Sequence, residues 1–247
     1  MKSLFDFEEI KAIIEQKPFE VRHGKDQRKI YDSAKGNARL AVMMAIIAKE
    51  TNKLESLNNV ADLFEQYFET FVSDEDAFKD KRILKALGII SFFYTLPYDD
   101  NELLNSVASS FSISSDELRE AFDKLHSLDL VELNYEHVRI GEQNLSTYFF
   151  YKVFIKDKLL SFAQLWNNYF DQLEYRFKDT VYPMYQNFGK EVIIKEIKPI
   201  LASYWLTIKS DEEKAFRFYN FSWEFLPDEC IIYLEKRISL LDTVTAD

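Results

Sequence analysis

The sequence predicts a mainly α-helical fold with one small β-hairpin, and three observations predict it. Glycine and proline number only 5 each in 247 residues, too few for the turns that a sheet-rich fold spends at every hairpin. Hydrophobic residues make up 47% of the chain and aromatics 16%, with 22 Phe and 14 Tyr, enough to fill a large core. Those apolar residues recur mainly at spacings of three and four, the period of a helix. A disordered tail and a disulfide-stapled miniprotein are both excluded by this composition.

Against 31 Lys and Arg stand 42 Asp and Glu, so the net charge is -11 and the overall field repels nucleic acid and anionic lipid. Any anion site must therefore be local. The single cysteine, Cys230, can form neither an internal disulfide nor a thiolate metal cage. With no basic-then-apolar leader pattern at the N-terminus, a reducing cytoplasm is the expected setting. The most apolar window, Tyr148 to Ile155, is too short to span a bilayer and carries Lys152, so it reads as buried core rather than membrane.

Residues 1–75 read as a helical subdomain, running from about Phe5 to Phe71 with a basic loop near Val21 to Lys29. Within Ser33-Ala34-Lys35-Gly36-Asn37-Ala38-Arg39-Leu40, the glycine permits a turn and Asn37 can cap a helix that runs to about Lys49. Leu40, Met43, Met44 and Ile47 give that helix its inward face. A further amphipathic stretch, Val60 to Phe71, precedes a polar run from Ser73 to Lys81 that marks a boundary.

Residues 80–145 read as three helices and a hairpin. Ile83, Leu84, Leu87, Ile90 and Phe93 line the first helix, which Leu96-Pro97 is expected to stop. The second is expected to start at Asp99-Asp100, where acids suit a helix N-terminus, and to run to Phe111. The third carries a capping box, Ser114 with Glu117, ahead of Leu118, Ala121, Phe122 and Leu125. Leu130 to Leu133 and Val138 to Ile140 alternate around Asn134 to His137 as a hairpin would. That order makes a winged helix.

Residues 146–247 read as a helical bundle or the start of a helical array, with helices at Leu145 to Ile155, Lys158 to Phe170, Val192 to Thr207, Glu212 to Phe225 and Asp228 to Leu241. Pro183, Phe188-Gly189 and Leu226-Pro227 punctuate them. No repeat of fixed period is visible.

Gly36-Asn37-Ala38-Arg39-Leu40-Ala41 at a helix start, a winged helix, and Ile140-Gly141-Glu142-Gln143-Asn144-Leu145 at its end together resemble the signal-transducing STAND branch of the AAA+ ATPases. There a nucleotide-binding core precedes a helical lid, a winged helix and a helical sensor array. The resemblance implies that Gly36, Asn37 and Arg39 correspond to the lid motif Gly-Asn-Pro-Arg beside the nucleotide, with Ala38 in place of the proline. The helix start and guanidinium suit phosphate. Glu142 would correspond to the acid of a second motif, Met-His-Asp, with Gly141 where the histidine stands, or would cap the following helix. Arg22, Lys25, Arg28, Lys29 and Lys35 form a positive island around the first motif.

The chain has no Gly-x4-Gly-Lys-Ser/Thr cradle and no acid-tipped strand, so no catalysis is expected of it alone. What the resemblance implies is the regulatory part of an NTPase. ATP or ADP with magnesium would be bound in the complete protein, and the partners would be a nucleotide-binding core, a protein reached through the array, and further copies on activation. The resemblance to bacterial members of that branch also implies a role in antiviral defence. Two rivals stand beside it: a DNA-binding winged helix of the initiator-ATPase type, and a stand-alone helical adaptor that binds protein. Asp116, Glu117, Glu120 and Asp123 outnumber Arg119 and Lys124 on the third helix of the winged helix, which argues against DNA. His23, His126 and His137 lack zinc spacing, and Cys230, although near a helix start that could lower its pKa, sits on a core-like face.

Overall fold

The computed structural model describes residues 5–34, 36–51, 63, 65–66, 80–99, 101–141 and 143–244. It divides into two compact units, Met1–Asp80 and Lys81–Asp247. Most of the amphipathic stretch read at Val60 to Phe71, and most of the polar run read from Ser73 to Lys81, lie outside the described residues.

In the first unit three helices pack together: α1 (Phe7–Glu15), α2 (Gly24–Ala34) and α3 (Ala38–Thr51). Asp6 and Glu9 close a capping box on α1, each carboxylate accepting from the other residue's amide at 2.9 and 2.8 Å. Ile10, Ile14, Ile30, Leu40, Met43, Met44 and Ile47 are buried, as the α3 periodicity predicts. The stretch read as a basic loop is mostly helix, because α2 starts at Gly24. What fixes that start is Gln27, a buried amide that donates to Glu15 Oε1 at 2.8 Å and to the Val21 carbonyl at 2.9 Å. One polar side chain thus satisfies the end of α1 and the intervening loop together, and the surrounding bases point outward.

The second unit opens with α4 (Lys81–Phe93), β1 (Thr95–Pro97), α5 (Glu102–Ser110), α6 (Ser115–Ser127), β2 (Glu132–Asn134) and β3 (His137–Arg139). All three strands pair antiparallel in the order β1-β3-β2, with Leu96 opposite Val138 and Leu133 on its other side. Helix, strand, helix, helix, strand, strand is the winged-helix order. Asn101, rather than the acid pair before it, caps α5, its side chain accepting from the Leu103 amide at 2.7 Å. The capping box read at Ser114 and Glu117 is present, with Ser114 N–H 2.9 Å from Glu117 Oε2 and Glu117 N–H 3.2 Å from Ser114 Oγ.

Next come α7 (Gln143–Phe150), a π-helical turn (Tyr151–Lys156), α8 (Phe162–Asn187), α9 (Lys190–Ile208), α10 (Glu212–Ser222) and α11 (Pro227–Val244). The apolar window from Tyr148 is buried, as expected, with Lys152 Nζ 3.1 Å from Asp157 Oδ2. α8 continues well past Phe170 and through Pro183, which the sequence marks as a break. Its one non-helical residue is Leu173, at φ -126 and ψ 34. There the freed Asp171 carbonyl accepts from Arg217, and the Asp171 carboxylate accepts from Tyr204 at 2.8 Å. Burial raises the Asp171 pKa, but the bonds from Tyr204 and Lys214 outweigh it and hold the carboxyl below its ordinary value. Gly189, at φ +90, ends α8 as its composition predicts.

Rings fill the middle of this unit. Phe92 of α4, Phe150 of α7, Trp166, Phe170 and Phe177 of α8, and Phe218 and Phe221 of α10 are fully buried. Ring centroids lie 4.7 Å apart for Phe92 and Phe177, 4.8 Å for Trp166 and Phe177, and 5.0 Å for Trp166 and Phe221. The winged helix and the helices after it therefore share one core.

At the crossing of α4 with the π turn there is no spare room. A Cβ on Gly88 would lie 2.5 Å from Val153 Cγ1. Gly88→Ala should raise helix propensity by about 1 kcal/mol, yet overpacking costs about 1–3 kcal/mol, so a net loss of stability is expected in urea unfolding. Adding Val153→Ala should recover part of that loss; an unchanged midpoint for Gly88→Ala would show the crossing to be loose.

Candidate functional site

Three places in the described residues bear on function. The first is the turn between α2 and α3. Gly36 sits at φ +77, a conformation that favours glycine, and its buried carbonyl accepts from the Phe5 amide at 2.9 Å. Asn37 then caps α3, its Oδ1 accepting from the Leu40 amide at 3.2 Å, as read from sequence. Ala38 and Arg39 occupy the first two positions of α3, where backbone amides have no acceptor inside the helix. Gly36, Asn37 and the Arg39 backbone are thus brought together in one turn; the Arg39 side chain lies outside what is described. Helix-end amides and an arginine make a donor set suited to phosphate oxygen. They offer magnesium no ligand.

Of the bases read as an island around this motif, two are paired with acids, and Arg22 lies before α2, at the far end of that helix from the turn. Arg28 lies 3.5 Å from Asp32, with its guanidinium carbon 5.1 Å above the Phe7 ring, and Arg22 lies 3.4 Å from Glu20. Lys35 and Glu142 lie outside the described residues, the latter between Gly141 and α7 of the second unit.

The second place is the exposed face of α6, the helix a DNA-binding winged helix would insert into the major groove. Asp116, Glu120 and Asp123 are exposed there, and Arg119 is paired with Asp116. Arg82 lies 3.6 Å from Glu117, and on the wing Arg139 is paired with Glu132. Each arginine that could meet a phosphate already faces a carboxylate. The wing tip presents Tyr135, fully exposed, rather than a base.

The third place was not legible in the sequence. At the C-terminal end of α4 the last carbonyls need partners outside the helix. Ser146 Oγ donates to the Ser91 carbonyl at 2.9 Å, and Arg176 Nε donates to the Phe92 carbonyl at 2.8 Å. A cation at a helix C-terminus is also favourable against the dipole. Tyr94 follows at φ +67, with its amide on the Ile90 carbonyl and its own carbonyl accepting from Ile140. The Arg176 guanidinium carbon lies 5.5 Å from the Tyr94 ring centre. Tyr94, with residues of α7 and α8, lines an open polar cleft of about 300 Å³. Of its partners only Asp179 is near Arg176 in sequence; the Phe92 carbonyl and the Tyr94 ring come from the end of α4 and the turn after it, more than eighty residues earlier, so the sequence does not mark the site.

Among the described residues no three His, Cys, Asp or Glu side chains converge as a metal site, and no helix is long and apolar enough to cross a membrane. Cys230 is buried in α11 with Sγ 3.6 Å from Ser222 Oγ. Burial raises its thiol pKa, the Ser222 contact opposing, so proximity to a helix start does not activate it. A water-soluble disulfide reagent at about pH 8 should leave Cys230 unmodified in the folded protein and react on unfolding. Prompt reaction in the folded chain would place the thiol at the surface. Compared with known proteins, the chain matches no family model, no curated protein and no solved structure.

Proposed function

We propose that this chain is the regulatory portion of a STAND-type NTPase: lid, winged helix and first array helices, without catalysis of its own. The observation that carries the reading is the α2–α3 turn, with Gly36 at positive φ, Asn37 capping α3 and Arg39 in its first turn, ahead of a winged-helix element order. In the complete protein ATP or ADP, with magnesium held by a nucleotide-binding core, meets Gly36, Asn37 and Arg39, and Glu142 approaches from the winged helix. Lid and winged helix then move together, and the C-terminal helices pass that motion to a protein partner or to further copies. A cytoplasmic setting and a role in bacterial antiviral defence belong to the same proposal.

A protein-binding adaptor is the second reading, favoured by exposed apolar residues on the last helices, Leu206, Ile232 and Ile238 among them. DNA binding ranks below both, because the carboxylates of α6 and its paired arginines oppose a phosphate backbone.

The test is a search of the adjoining reading frame for a P-loop core and reconstitution with it. Arg39→Ala should weaken ATP affinity by about tenfold or more, the worth of one charge-assisted hydrogen bond. Unchanged affinity and turnover, or the lack of any such core, would leave the adaptor. For duplex DNA, fluorescence anisotropy should give a dissociation constant no tighter than the nonspecific range of roughly 10⁻⁴ to 10⁻⁶ M. Salt-dependent nanomolar binding would reverse the ranking.

A further inference from the structure

The cleft at the end of α4 has a composition that its structural role does not exhaust. Arg176 spends only one edge on the fold. Its Nε caps α4 through the Phe92 carbonyl, while Nη1 stands 3.5 Å from Asp179 Oδ2, a loose contact with a carboxylate that is 60% exposed. Among the described residues Nη2 makes no hydrogen bond. The side chain is only 15% exposed, and its remaining edge opens into the cleft. Burial pushes the guanidinium pKa below its ordinary value, as expected of a charge incompletely answered by its surroundings.

The hydroxyls on the walls are already engaged. Thr147 Oγ1 donates to the Gln143 carbonyl at 2.8 Å, Thr180 Oγ1 to the Arg176 carbonyl at 2.7 Å, and Ser146 Oγ to the Ser91 carbonyl. Their protons are therefore committed to backbone, so the donors left to an anion in this cleft are the Arg176 guanidinium and the Gln143 amide. Gln143, exposed at the mouth, brings an amide that can donate. Tyr94 holds its ring beside Arg176 from a left-handed backbone position that bulky residues rarely adopt. A volume of about 300 Å³ admits a small anion.

We propose that this cleft binds a small oxyanion, a phosphate or a carboxylate group, on the free edge of Arg176 with the Gln143 amide at the mouth. Binding would displace Asp179 toward solvent. Because Tyr94 after α4, the helix α7 and the helix α8 each contribute lining residues, an occupant would tie the winged helix to α8 three residues beyond its break at Leu173. The proposal does not rest on the nucleotide reading of the α2–α3 turn.

Thermal unfolding of the whole chain in sodium phosphate and in sodium acetate, each compared with sodium chloride at equal ionic strength, tests it. A saturable rise in Tm is expected with at least one probe. Phosphate alone would identify a phosphoryl group; acetate as well would identify a carboxylate site. Arg176 caps α4, so its loss could unfold the chain; the informative variant is Gln143→Glu, at an exposed position. It places a like charge at the mouth and should weaken the apparent affinity by about tenfold. Failure of either anion to give a saturable rise by about 100 mM, well above a millimolar Kd, would overturn the proposal. So would an undiminished rise in Gln143→Glu.

Discussion

The second unit depends on one close approach, that of Gly88 in α4 to Val153 in the π turn. Only the missing side chain lets the two backbones come so near, since a Cβ there would sit 2.5 Å from a Val153 methyl. That nearness puts Phe92 of α4 and Phe150 of α7 into one cluster with Phe177 and Trp166 of α8. The cluster continues through Phe221 to Phe225 at the end of the α10 segment. Buried aromatics of this size carry much of the hydrophobic stabilisation, and their packing tolerates little change in separation. The crossing distance of two elements thus sets whether four helices share a core.

The same crossing decides where polar groups must go. Burying α4 on the α7 side leaves its C-terminal carbonyls facing protein rather than water, and buried carbonyls need donors. Ser146 and Arg176 supply them from α7 and α8. A charged side chain does this work where a neutral amide would suffice, and the surplus is the unengaged edge of the guanidinium. The cleft is therefore a by-product of how α4 ends. Tyr94 reinforces it, because the chain must turn sharply there to pair β1 with β3.

Features set by neighbours in sequence were legible; features set by distant partners were not. Asn37, the Ser114 and Glu117 box, and the buried face of α3 depend on residues within one or two turns, and the sequence states them directly. β1 escaped, because three residues ending in proline look like a helix stop until β3 arrives to pair with Leu96 through Val138. Pro97 is tolerated because β1 is an edge strand. The extension of α8 escaped for a related reason: Pro183 argues for a break, but Phe177, Val181, Met184 and Tyr185 bury a continuous helical face across it. Helix α2 was misread as loop because its charges dominate, whereas the buried Gln27 that anchors it has no hydrophobic signature. Arg176 is the same case at the candidate site.

An acidic chain that holds an anion is not a contradiction, and magnitudes say why. A net charge of -11 acts over a surface, and at physiological salt it is screened within about 8 Å. A guanidinium in contact acts at hydrogen-bond distance in a partly dry cleft, where the interaction per charge is several times its value in water. The local term wins there, while on the open face of α6 the reverse holds. Arg119, Arg82 and Arg139 are solvated and already face carboxylates, so a phosphate arriving there gains little and meets the surrounding acids. An extended polyanion must lie along the acidic surface, whereas a single oxyanion of the proposed kind would need only the local donors of the cleft.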